Sequence, residues 1–167
     1  MNIFSINPGF DGAWALAVDD RVDSIGDMPL SGGRPKRCIW APVLANHMRS
    51  FTPDLCVVEA ARAMSGRNGA GTFQSGMALG AALAIPGVLG VPVELISQAR
   101  WELHFKLRGA DGEAIRHRAL DLCPWLSESL HRKRDNRRAE ALLIGLYAAA
   151  IWDPVKDDPP EWRARSD

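Results

Sequence analysis

The chain has 167 residues, 47% of them apolar, and a formal net charge of zero. That is enough for one domain with a sizeable core, and it argues against disorder as a whole. It also excludes a global electrostatic pull toward nucleic acid, and no apolar stretch reaches the roughly 18–20 residues of a membrane span.

Residues 2–7, Asn-Ile-Phe-Ser-Ile-Asn, read as a strand ending at Pro8-Gly9. Asp11-Gly12 is a turn, Ala13 to Val18 a second strand, and Val22 to Met28 a third, which makes an N-terminal antiparallel meander. The Pro-, Gly- and basic-rich stretch 29–37 reads as a loop, and Trp40 to Met48 as a short helix. Leu55-Cys56-Val57-Val58 has the look of a buried parallel strand, and Glu59 ends it. Residues 60–71 read as a flexible connection. Thr72 to Ile85 reads as a helix whose Gly76 and Gly80 share one face, an arrangement suited to close packing. Pro92 to Ile96 is a further strand, 101–107 is short and mixed, and Ala114 to Leu122 is a helix. Asn136 to Ile151 is the clearest helix, with Leu142, Leu143, Leu146 and Ala150 on one side. The expected organisation is one domain over 1–152 and a frayed tail over 153–167.

The N-terminus lacks a basic flank and a small-residue cleavage pattern, so no secretory signal is expected. Cys38, Cys56 and Cys123 are too few and too far apart for a disulfide framework, and they suit a reducing cytoplasm. The charge is unevenly spread. Arg132, Lys133, Arg134, Arg137 and Arg138 put five permanent positive charges in seven residues, beside His131. A neutral chain can therefore carry a basic face.

Glu59 carries the strongest chemical signal. A lone carboxylate at the end of a buried strand must find a partner or take up a proton, and open α/β sheets place ligand sites at such strand ends. Asp135 stands at the start of the last helix, where it can cap exposed N–H groups, and Glu140 lies inside it. Asp135 and Glu140 can equally be an N-cap and an acid paired with Arg137. Should the three acids converge, oxygen ligands of this kind suit Mg²⁺ or Mn²⁺. Such ions activate water against a phosphodiester, and the basic run would hold the phosphate backbone.

These residues resemble those of the RuvC-type Holliday junction resolvases, in particular the bacteriophage-like members of this ribonuclease-H-like (retroviral integrase) superfamily. The resemblance rests on Ile6-Asn7-Pro8-Gly9-Phe10-Asp11-Gly12-Ala13, on Val57-Val58-Glu59, on Gly71-Thr72-Phe73-Gln74-Ser75-Gly76, and on the segment from Asp135 to Tyr147, in that order. It implies an α/β fold with a central mixed sheet flanked by helices. It also implies a homodimeric, Mg²⁺- or Mn²⁺-dependent endonuclease, two ions per site, acting on four-way DNA junctions in the cytoplasm of a bacterium or a phage-infected host. The catalytic and metal positions it implies are Asn7, Glu59, Asp135 and Glu140. Cellular members carry an acid three residues before the final one, where this chain has Arg137. Residues expected to touch DNA are Lys36, Arg37, Phe73, Lys106, Arg132, Lys133, Arg134, Arg137 and Arg138. Phe73 takes the place of residues that approach the junction centre.

The departure is Asn7, where the family carries Asp. An amide oxygen lacks the charge that holds a divalent ion, so weak metal binding and reduced hydrolysis are expected. An engineered Asp→Asn change, a natural junction-binding protein that cleaves poorly, and an active enzyme with another ligand set all fit this. A less selective DNA or RNA nuclease of the same fold is a further alternative.

Overall fold

The first two strands, buried along almost their whole length, build the centre of the molecule. The structure is a computed structural model that describes residues 1–19, 21–33, 37–60 and 69–152. Lys36, most of the expected connection after Glu59, and the tail from 153 lie outside the described residues. Strands β1 (Asn2–Asn7), β2 (Ala13–Val18) and β3 (Arg21–Asp27) form the expected meander. β4 (Leu30–Ser31), inside the stretch expected as loop, pairs with β5 (Cys38–Ile39) just beyond it as a separate two-stranded ribbon. Then follow helix α1 (Ala41–Phe51), strand β6 (Leu55–Glu59), helix α2 (Gly69–Val88) and strand β7 (Val93–Ile96). Helices α3 (Gln98–His104), α4 (Gly112–Leu122) and α5 (Asn136–Ile151) complete the domain.

The five-stranded sheet has the order β3-β2-β1-β6-β7. β1 pairs antiparallel with β2 and parallel with β6, so the sheet is mixed. Side chains alternate between its faces. Phe4, Ile6, Cys56 and Val58 pack with Leu44 and Met48 of α1 and with Ala78 and Ala82 of α2. Ile3, Leu55 and Val57 pack on the other face with Trp101 of α3, Ile115 of α4 and the apolar side of α5. The result is the three-layer α/β arrangement expected for a parallel pair buried on both faces.

One expectation fails on α2. A Cβ added at Gly76 or Gly80 would meet nothing within 4 Å, so these glycines do not mediate close packing. The buried positions are Ala78, Ala82 and Pro86, a spacing of four that turns the glycines outward. The close approach occurs on α5 instead. A Cβ at Gly145 would stand 2.9 Å from Ser5 Oγ, which itself donates to the Ala141 carbonyl at 2.7 Å. Absence of a side chain at Gly145 lets the helix lie directly on β1.

Gly145→Ala is therefore expected to overpack this contact, destabilising the fold by about 1–3 kcal/mol. Ser5→Ala in the same chain should recover part of that loss. Denaturant midpoints of the two single variants and the double variant measure the coupling.

Candidate active site

The register of the parallel pair determines which side chains meet. Ile6 stands beside Val58, so one step further the C-terminal ends of β1 and β6 carry Asn7 and Glu59. Alternation turns Asn7 to the face of Ile3 and Ser5, and Glu59 to that of Leu55 and Val57. This is the face covered by α5. The helix, pressed against Ser5, brings Glu140 to the same strand end.

Asn7 is 4% exposed and Glu140 7%. The Asn7 Nδ2 donates to Glu140 Oε2, and an Arg137 Nη donates to the same oxygen at 2.7 Å. Burying this carboxylate is tolerable because a cation and a hydrogen-bond donor both reach it. Arg137 remains half-exposed, at 51%. Partial burial opposes its charge; the charge and hydrogen bond of Glu140, helped by Glu59 and Asp11, overcome that and raise its proton affinity above the ordinary guanidinium value. Glu59 accepts from the indole N–H of Trp101, a fully buried residue of α3, at 3.1 Å. The role of Trp101 in orienting Glu59, 42 positions away, has no local signature in the sequence.

Asp135 goes elsewhere. Its buried carboxylate accepts from the Arg132 backbone N–H at 2.9 Å and from the Arg132 guanidinium at 2.8 Å. Arg138 lies 3.8 Å away. The expected capping of α5 does not occur, because the side chain turns back to Arg132 rather than forward to the helix. Among the described residues no three of His, Cys, Asp or Glu form a group able to hold a metal. The three acids Glu59, Asp135 and Glu140 are thus not gathered into one cluster.

The basic run is partly neutralised from within. Arg138 forms a two-pronged pair with Asp27 at 2.6 and 2.7 Å, a residue at the end of β3 that sequence reading did not connect to it. Arg132 faces Asp135, and Arg137 faces Glu140. Lys133 and Arg134 are exposed. Phe73 is 68% exposed on α2, so it is no core aromatic. Arg37 is half-buried and Lys106 exposed, Lys106 with a left-handed backbone at φ 59°. His131 is exposed, its Nδ1 2.5 Å from the Glu128 carbonyl.

Neither a family model nor a curated protein sequence matches the chain. Solved structures do. The chain is similar to Thermus thermophilus RuvC in complex with Holliday junction substrate, with a TM-score of 0.64 and 18% identity over 90% of this chain and 96% of that one. A second structure of Thermus thermophilus RuvC gives a TM-score of 0.58 and 17% identity, with the same coverage. The fold is that of RuvC. At this identity the likeness concerns the RuvC fold alone, and among the described residues no helix is long and apolar enough to cross a membrane.

Asp135 gives a pH prediction. Burial by itself would raise its carboxyl; the hydrogen bonds from Arg132 and the charges of Arg132 and Arg138 prevail and hold it below the ordinary carboxylate value. A group with a depressed folded pKa contributes stability above its unfolded value of about 3.9, and the contribution is lost as pH falls through the folded value. Asp135→Asn is expected to lower Tm by several degrees at neutral pH, and the gap to the parent chain should close as the pH is taken below about 4. Thermal melts across pH 2–7 check this.

Proposed function

We propose that this chain binds branched DNA, four-way junctions above all, as a homodimer, and that its phosphodiester-cleaving site is impaired. The observation carrying this reading is the closed set Asn7–Glu140–Arg137 at the strand end where a RuvC fold would do its chemistry. The fold supports the DNA target, since a structure it resembles is a RuvC–junction complex. Exposed Lys133 and Arg134 suit the phosphate backbone, and exposed Phe73 suits stacking at a junction centre. Arg37 and Lys106 are proposed as further phosphate contacts on the strength of the resemblance, while Lys36 lies outside the described residues. Arg132 and Arg138 enter the proposal as supports, because Asp135 and Asp27 hold them. Asp135 then shapes the basic loop and is left out of the ligand set.

Two Mg²⁺ or Mn²⁺ ions do not fit the residues present. Hard divalent cations take oxygen ligands, and a protein holds Mg²⁺ chiefly through one or two carboxylates free to coordinate it. Here Asn7 presents an amide N–H to Glu140, and Arg137 already neutralises that carboxylate. Glu59 is left as the second acid, engaged by Trp101.

Binding of the chain to an immobile four-way junction, a linear duplex and an RNA of equal length tests the reading, with Mg²⁺ or Mn²⁺ present. The junction should bind at least tenfold more tightly than the duplex and stay intact. Equal affinity for duplex or RNA would remove junction selectivity. Symmetric cutting by the chain as it stands would replace the proposal with the alternative, an active Mg²⁺-dependent endodeoxyribonuclease. Replacing Lys133 and Arg134 by Ala should weaken junction and duplex binding alike and lower the salt dependence of log K by about 2.

A further inference from the structure

The misfit between the site and a divalent ion leaves a question that the site's own side chains answer. Glu59 and Glu140 place two formal negative charges at one end of the sheet, where a DNA phosphate would have to come close. Without a cation, that approach is repulsive. Arg137 lies in this field. It touches Glu140 at 2.7 Å, and Glu59 and Asp11 also act on its charge. A guanidinium has five N–H donors in a planar fork that matches phosphate as well as carboxylate. The Arg137 side chain is 51% exposed, so the group is accessible from solvent while one donor stays on Glu140.

We propose that Arg137 is the site's own cation: it neutralises Glu140 and offers its remaining donors to a DNA phosphate, so that the chain docks the backbone at this strand end without a divalent ion. This rests on the branched-DNA reading above, and it identifies which group at the impaired site still engages the substrate. Asn7 belongs to the same arrangement. An Asp at position 7 would add a carboxylate beside Glu140 and remove the amide N–H that now donates to it, whereas the neutral Asn7 shares Glu140 with Arg137 without adding charge.

The test has two arms on the full chain. In the first, Mn²⁺ alone is titrated calorimetrically into the parent chain, N7D, R137Q, R137K and the double variant N7D/R137Q. The parent and R137K should show no binding at millimolar Mn²⁺, and N7D/R137Q should gain at least tenfold in affinity over the parent. Submillimolar Mn²⁺ binding by the parent, or binding by R137K equal to that of the double variant, would overturn the proposal. In the second, junction binding is measured in EDTA. The parent should bind as in Mg²⁺, R137Q at least tenfold more weakly, and R137K between them. Full junction affinity of R137Q in EDTA, or loss of the parent's affinity on chelation, would overturn it. Far-UV circular dichroism and melts confirm that each variant folds, and R137K retains the cation should R137Q not fold. Failure of the branched-DNA reading looks different: the parent would then bind junction and duplex equally in either medium, while the Mn²⁺ arm would still report on Arg137.

Discussion

The contact of α5 with β1 is the constraint on which the site depends. Ser5 Oγ donates to the Ala141 carbonyl, and Gly145 has no Cβ to push that hydroxyl aside. A hydrogen bond of this kind contributes only about 1 kcal/mol net, but its position matters more than its strength. It sets the height of the helix above the sheet at Ala141, the residue directly after Glu140. Asn7, two residues on from Ser5 along the same face, then reaches the Glu140 carboxylate. The turn beyond Asn7 is fixed by a comparable close approach. A Cβ at Gly12 would stand 2.3 Å from the Asn7 carbonyl, so only glycine closes the hairpin there.

Charge is handled by pairing within one short segment. Between Arg132 and Glu140 the chain alternates cations with the acids that hold them: Arg132 with Asp135, Arg137 with Glu140, and Arg138 with Asp27 brought in from β3. The basic run therefore has two kinds of positive charge. Some organise the entrance to α5, and Lys133 and Arg134 face solvent. Sequence counts them all alike, and only the fold separates them.

Much of the fold was legible because its signals are local. The β1–β2 hairpin follows from its turn residues, the strand ending at Glu59 from its apolar run, and α5 from its long apolar stretch, although the helix is buried all round from Ala139 to Gly145 and Ala150, expected on its apolar side, is exposed. The order of the matching segments pointed to the same fold. What was not legible depends on partners far along the chain. The Arg138–Asp27 pair spans 111 positions and the Trp101–Glu59 bond 42, and neither has a spacing rule. Asp135 at a helix start is ambiguous by nature, since one carboxylate can turn forward to the helix or back to a cation, and Arg132 won that competition. Gly76 and Gly80 misled because a shared face does not say which way the face looks; Ala78 and Ala82 decide it.

The two faces of the sheet differ in kind. The side under α1 and α2 is filled by Phe4, Ile6, Cys56, Val58, Leu44 and Met48, with Phe4 and Trp14 stacked at 5.4 Å, and it holds none of the candidate ligands. The opposite side carries both the apolar core of α5 and every group at the strand end. Side chains alternate strictly between faces, so a substitution on the first side reaches the chemistry only through the backbone. Volume-preserving changes there are absorbed by repacking. The molecule is thus divided into a half built of apolar packing and a half in which the buried polar groups of the strand end must satisfy one another.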